Sequence, residues 1–366
     1  MCIGGLHGNE PAGVVALQRF FASVEVGSEL RGRVIGLAGN LRALAAGQRF
    51  ANRDFNRMWM RDLVEEVRRR GADGLRDEEA EMLELLVPLE EALEEADGGV
   101  FVLDLHTFSG EGSPFVTLDD TVTSRILAES FPFTLVMGLD EKLAGTLSSW
   151  LSERGANVLG FEAGRHQDPA SVESAEAAIW LALEACSLLP CGVEPRVMAA
   201  RRTMSTASGT AAHLVDVRYR HSVSLEDEFR MEPGWVSFQP VARGELVGRS
   251  KAGEVHAPMS GLLLMPLYQA QGEEGFFVVT KVSSRWLAVS ELARRLGVAR
   301  VLCLLSGVDA AAGEGGRLRV DLRIASALTL RLCRILGYRQ QGEAPVVVMT
   351  PRAPRRPRPR HEPVPR

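Results

Sequence analysis

Apolar and polar positions alternate along this chain with two different periods. Through residues 1–192 short apolar runs are separated by longer stretches of helical spacing. The apolar runs Val34–Ala38, Val100–Leu105, Thr134–Met137 and Val158–Phe161 read as strands. The spacing predicts helices over Ala12–Ser23, Met60–Arg70, Asp77–Glu95 (with a bend expected at Pro88), Lys142–Arg154 and Ala170–Leu188. Such alternation implies an α/β layered fold with a largely parallel, buried sheet flanked by helices. Ligands in such folds sit at the C-terminal ends of the strands.

The pattern changes near Pro190. Short alternating segments such as WVSFQPVARGELVG and EVHAPMSGLLLMPLY predict a smaller β-rich domain over 193–280. Helical spacing returns at Ser284–Leu296 and Leu322–Leu336, giving a helical extension over 281–341. Residues 342–366, ending in the Pro/Arg-rich RAPRRPRPRHEPVPR, read as a disordered tail. The acidic helix around Asp77–Glu95 carries Met82, Leu83, Leu86, Leu89 and Leu93 at helical spacing, which reads as a solvated face over an apolar stripe.

The 366 residues carry a formal net charge of -5, which gives no reason to expect nucleic acid as a partner. No run of 18 apolar residues occurs, so no membrane span is expected. The start, MCIGGLHGNEP, lacks a signal-peptide pattern, so a cytoplasmic location is expected. It leaves only six residues before His7, which predicts either a short first strand or a longer native chain. Cys2, Cys186, Cys191, Cys303 and Cys333 match no metal knuckle and read as buried thiols.

Four short segments carry candidate chemistry. In Ile3-Gly-Gly-Leu-His7-Gly-Asn-Glu10, three-residue spacing lets an imidazole and a carboxylate reach one ion, and both are ligand types suited to zinc. In Phe101-Val-Leu-Asp104-Leu-His106, alternation puts Asp104 and His106 on one face of a strand. His106 becomes a third ligand, and Asp104 can fix the tautomer of a ligating histidine. In Gly160-Phe161-Glu162-Ala163-Gly164-Arg165-His166, Glu162 can take a proton from an attacking water and return it to a leaving amine. His166 fits either substrate binding or a structural role. The stretch from Asn40 through Arg42, Arg49, Asn52, Arg53, Asn56 and Arg57 suits an anion pocket or an oxyanion donor. Taken singly, each segment also fits an ordinary role: a surface histidine beside a capping acid, a core Asp–His pair, a strand-end acid, a solvated basic loop.

In the order HGNEPAG, DFNR, DLH, FEAG, the segments resemble the succinylglutamate desuccinylase/aspartoacylase family, related to the zinc carboxypeptidases. The resemblance covers about residues 3–340, including EVHAPMSGLLLMPLYQAQGEEGFF. It implies that His7, Glu10 and His106 bind zinc, that Glu162 is the general base and acid, and that Arg49 polarises the scissile carbonyl. It further implies that Asn56 and Arg57 bind a substrate carboxylate. Tyr268 is the candidate for a substrate-binding tyrosine that the family draws from its C-terminal domain. An additional arginine used by aspartoacylases falls here on Ser152, with Arg154 nearest. The implied fold is a carboxypeptidase-like α/β domain on a mixed, mostly parallel sheet with flanking helices, followed by a smaller β domain. The implied activity is hydrolysis of the linear amide of a small N-acylated carboxylate by a cytoplasmic enzyme, with a homo-oligomer an open option. The competing expectations are a zinc carboxypeptidase for short peptides and a non-catalytic carboxylate-binding protein.

Overall fold

The structure, a computed structural model, describes residues 1–24, 30–118, 122–192, 194–207, 214–282, 302–310, 318–326, 328–330, 333, 338–341 and 346–351. The described residues of Met1–Glu95 and Gly99–Val282 form one compact unit, and Ala96–Gly98 with the described residues from 302 onward form a second. The first unit runs β1 (Cys2–Gly4), α1 (Ala12–Ser23), β2 (Gly36–Ala38), α2 (Leu41–Ala46), α3 (Arg61–Arg70), α4 (Glu78–Glu94), β3 (Phe101–Phe108), β4 (Phe115–Leu118), α5 (Val122–Ala128), β5 (Thr134–Met137), α6 (Leu147–Glu153), β6 (Asn157–Arg165), α7 (Pro169–Ala185) and α8 (Pro195–Ala207). It continues with β7 (Leu214–Ser222), β8 (Arg230–Met231), β9 (Pro240–Val241), β10 (Leu246–Ser250), β11 (Gly253–His256), β12 (Gly261–Leu264) and β13 (Glu274–Lys281).

The main sheet has ten strands in the order β2-β1-β3-β6-β4-β5-β7-β13-β12-β9. Pairing is parallel from β2 to β6 and from β4 through β5 to β7, with an antiparallel step between β6 and β4. The expected mixed, mostly parallel sheet with flanking helices is therefore present. Its central strands are largely buried on both faces, as in a covered parallel sheet. One core cluster, including Ile3, Phe55, Trp59, Met82, Leu86 and Trp150, packs under α3, α4 and α6. On the other face Phe20 of α1 meets Trp180 of α7 edge-on, with ring centroids 4.9 Å apart.

Register places the candidate chemistry. Gly4 lies opposite Leu105, and His106 lies opposite Glu162 on the parallel neighbour. The chain leaving β1 therefore delivers His7 to the same end of the sheet as His106 and Glu162. His106 and Glu162 stand inside β3 and β6, which run further than their apolar runs alone predict.

Several boundaries differ from the sequence reading. The predicted helix 142–154 begins only at Leu147. Gly145 has φ +71, and a Cβ there would lie 2.4 Å from the Arg57 carbonyl oxygen. Thr146 then caps α6 by accepting from the Ser149 amide. The β-rich stretch is not a separate body: β7, β13, β12 and β9 extend the main sheet, while β8, β10 and β11 form a small antiparallel sheet. It is also preceded by a helix, α8, that the sequence reading missed. Exposed Cys191 and Cys303 correct the reading of all five cysteines as buried, for both lie outside strands and long helices.

In the second unit β14 (Val308–Ala310), β15 (Leu318–Asp321), β16 (Tyr338–Gln341) and β17 (Val346–Pro351) form an antiparallel sheet ordered β14-β15-β17-β16. A purely helical 281–341 is thus corrected, and so is a tail starting at 342, because Val346-Val-Val-Met-Thr pairs on both sides as a strand. The expected helix at Leu322 starts later, since Ser326 accepts from the Thr329 amide at its head. The expected helix 284–296 and the Arg-rich 352–366 lie outside the described residues. No described helix is long and apolar enough to cross a membrane.

Candidate active site

A turn closes directly after β1, where the Glu10 amide donates to the His7 carbonyl at 3.1 Å. Gly8 at its centre donates to the Arg49 carbonyl, and a Cβ there would come within 2.0 Å of the Ala43 backbone. Only glycine lets the turn and the Arg49 segment approach this closely.

His7, Glu10 and His106 bring one ligand atom each within 4.8 Å of one another. The nitrogens involved are equivalent on the two rings. His7 Nδ1 lies 2.8 Å from Glu10 Oε1, and His106 Nδ1 lies 3.1 Å from Glu10 Oε2. Each Nε2 faces a different carboxylate, His7 to Asp54 Oδ1 at 3.1 Å and His106 to Asp104 Oδ2 at 3.1 Å. With the proton on Nε2, both Nδ1 lone pairs converge on the same place as the Glu10 oxygens. This is how histidine ligands of a metal are held by outer carboxylates. Each ring faces a carboxylate at both nitrogens, so this tautomer is the one a bound ion would select. The Thr107 amide orients the same Glu10 carboxylate by donating to Oε2 at 2.9 Å.

Burial alone would raise the carboxylates. Instead His7, with Arg49, holds Asp54 well below the ordinary range, and His7 and His106 do the same for Glu10. Burial pushes His106 down, but Asp104 and Glu10 outweigh it and hold the imidazole well above its usual value. Glu162 behaves oppositely. Burial pushes it up to about 8, and Oε2 is buried without a hydrogen-bond partner. Three borderline donors around one point beside an orphan carboxylate oxygen fit a catalytic zinc ion, which takes three protein ligands and keeps one position for water or substrate.

Asp54, which the sequence reading gave no role, touches the candidate site. It caps the short turn Phe55–Arg57, accepting from the Asn56 amide at 3.0 Å, while its two oxygens hold His7 and Arg49. We expect Asp54→Asn to weaken metal affinity about 10- to 100-fold, measured by competition with a chelator. Unchanged affinity would remove Asp54 from the site.

Arg49 is buried, donating Nε to Asp54 at 3.1 Å and Nη1 to Glu10 at 3.4 Å. Asn56 accepts from the Leu147 amide at the head of α6 and lines the cavity. Arg57 also lines it, but its Nη2 is paired with Glu274 Oε1 at 2.9 Å. His166 bridges Thr107 Oγ1 (2.7 Å) and Gln269 Oε1 (2.9 Å), and burial lowers its pKa. Gln269 also accepts from Asn9. Tyr268 does not join these residues. Its hydroxyl bonds the backbone of Glu232 and Trp235, and its neighbours Leu267 and Gln269 line the cavity instead. Arg154 stacks its guanidinium 3.7 Å from the Trp150 ring centroid and is not a lining residue.

Two acids of α4 support the site from outside. Glu78 accepts from the amides of Ala51, Asn52 and Arg53, and Glu81 from those of Leu41 and Arg42 at the head of α2. The helix was read as presenting a solvated acidic face, yet these two are buried because neighbouring loops bring unpaired amides to them. The cavity has a volume of about 100 Å³ and opens to solvent.

Residues 1–179 match the model of the Succinylglutamate desuccinylase/Aspartoacylase catalytic domain. Among solved structures, the chain is similar to a succinylglutamate desuccinylase/aspartoacylase from Rhodobacter sphaeroides, at 18% identity, TM-score 0.55, covering 76% of this chain and 84% of that one. It is similar to the product-bound ectoine utilization protein EutE (DoeB) from Ruegeria pomeroyi, at 20% identity, TM-score 0.54, covering 77% and 84%. Murine aminoacylase 3 matches at 17% identity, TM-score 0.50, covering 77% and 94%. At these identities the structural likeness establishes the fold.

Proposed function

We propose that this chain, whose residues 1–179 match the succinylglutamate desuccinylase/aspartoacylase catalytic-domain model, is a zinc-dependent deacylase. Its substrate is a small N-acyl amino acid, cleaved by water at the linear amide bond. The observation that carries this reading is the pair of Nδ1 atoms meeting on Glu10, with both Nε2 atoms fixed by carboxylates and Glu162 alongside. His7, Glu10 and His106 would hold the ion. A bound zinc supplies Lewis acidity towards the carbonyl oxygen and lowers the pKa of an attacking water towards about 7.

Side chains of this chain do the remaining work. Glu162, opposite His106 on β6, accepts the proton of the attacking water and returns it to the leaving nitrogen. Its raised pKa suits a group that must alternate between base and acid. Arg49 donates to the carbonyl oxygen as charge develops there, held in position by Asp54. We expect Arg49→Met to lower kcat about 100- to 1000-fold with a smaller change in KM, read by steady-state kinetics. Equal loss in kcat/KM through KM alone would make it a ground-state binding residue. Arg57, through the donors Glu274 leaves free, holds the substrate carboxylate.

The reading is tested with zinc-loaded protein and a panel of N-acetyl, N-formyl and N-succinyl amino acids alongside dipeptides. Release of free amino acid from the N-acyl compounds is the expected result. Turnover of dipeptides with none of the N-acyl compounds would replace the deacylase by a carboxypeptidase, and metal binding with no turnover of either would replace it by a sensor.

A further inference from the structure

The family resemblance assigns Arg57 a substrate carboxylate, yet in the structure a carboxylate of the chain itself already meets it. Glu274, at the first position of β13, accepts from Arg57 Nη2 and from Arg220 Nη2, both at 2.9 Å, through the same oxygen. Arg220 comes from β7, the strand paired with β13. The three side chains are 11%, 19% and 12% exposed for Arg57, Arg220 and Glu274. Arg57 and Glu274 line the cavity, with Arg220 behind them. Further bonds run from Arg57 Nη1 to the Asn56 carbonyl and from Arg220 Nη1 to the Lys142 carbonyl. What remains is specific: Nε of Arg57 and Nε of Arg220 are both buried with no hydrogen-bond partner. A buried guanidinium N–H left unpaired is costly, so these donors call for an acceptor.

The charge count points the same way. Two guanidiniums against one carboxylate leave the cluster at +1. The other lining arginine, Arg49, is already shared between Asp54 and Glu10. A cluster at +1, with Arg57 as its guanidinium on the cavity wall, accommodates one incoming carboxylate. A second would meet Glu274 with no cation left to balance it, and like charges placed together disfavour the wrong partner.

We propose that Glu274 is a specificity-determining residue: it takes the place of a second substrate carboxylate, so that the pocket accepts N-acyl monocarboxylic amino acids and discriminates against dicarboxylic ones. Arg220 is the positioning residue that holds Glu274 in this role. Burial raises the Glu274 carboxyl, but Arg57 and then Arg220 outweigh it, so it stays ionised across the neutral range. The inference rests on the deacylase reading for its substrate class, while the anion preference of the pocket is independent of turnover.

The test compares wild type, Glu274→Gln and the double variant Glu274→Gln/Arg220→Gln, all zinc-loaded. Kinetics use N-acetylalanine and N-acetylaspartate; calorimetry uses propionate and succinate as non-hydrolysable probes. Wild type should favour the monocarboxylates. The single substitution, isosteric and raising the cluster to +2, should shift the ratio towards the dicarboxylates on the order of 10-fold or more. The double variant, back at +1, should return towards the wild-type ratio, which a merely structural role for Glu274 would not produce. If no N-acyl compound is turned over but the calorimetric ratio shifts and returns in this way, the deacylase reading fails and the role of Glu274 stands. A wild type that prefers dicarboxylates, or a ratio unmoved in the single variant, overturns the inference.

Discussion

Glu162→Gln is expected to lose about 100- to 10,000-fold in kcat while keeping its metal. The substitution preserves size and removes only the ability to take and return a proton. Glu162 is not one of the three clustered ligands, so the ion should stay at the stoichiometry of the wild type. Its environment also favours the amide. The carboxylate is buried and burial raises its pKa to about 8, so a neutral side chain avoids the cost of burying a charge here. The variant should therefore be at least as resistant to heat as the parent. Elemental analysis, thermal melting and single-turnover kinetics on one preparation separate these outcomes. Activity close to wild type would show that the proton is handled elsewhere, and loss of metal together with activity would make Glu162 a ligand.

His106→Ala should act in the opposite order, with metal lost first and activity as a consequence. The imidazole contributes one of three ligand atoms, and a catalytic zinc site with two protein ligands is no longer a stable one. The cost also reaches the fold. In the parent, His106 stands between Asp104 and Glu10, two buried carboxylates that would face each other without it. Zinc binding to the native form alone stabilises it by mass action, so the wild-type melting temperature should rise with zinc and fall with chelator. The variant should melt at the same temperature with and without zinc. A zinc-dependent shift of wild-type size in His106→Ala would place the ion on other residues.

The candidate ligand cluster was legible because each half of it obeys a local rule. His7 and Glu10 are three apart across a glycine turn, and His106 shares a strand face with Asp104, whose hydrogen bond to the imidazole the alternation predicted. Glu162 was legible as a carboxylate after an apolar run, although the strand continues through it. Asp54 was not, because it lies 47 residues from His7 and an acid before Phe-Asn-Arg looks like any turn acid. Glu274 was hidden in the same way: Glu273-Glu274 at the start of a strand reads as a solvated pair until β7 brings Arg220 beside it. Tyr268 illustrates the converse error. The family resemblance suggested a pocket residue, but in the loop after β12 its hydroxyl bonds the 232–235 backbone. Helical spacing likewise could not reveal that Glu78 and Glu81 answer the unpaired amides of a distant loop.

The most direct measurement of the shared metal centre is zinc-edge X-ray absorption on the zinc-loaded chain, with its first coordination shell resolved by element and ligand type. Two imidazole nitrogens with carboxylate and water oxygens, and no sulfur, is the result required by His7, Glu10 and His106. Sulfur in that shell, or fewer than two imidazoles, would contradict it.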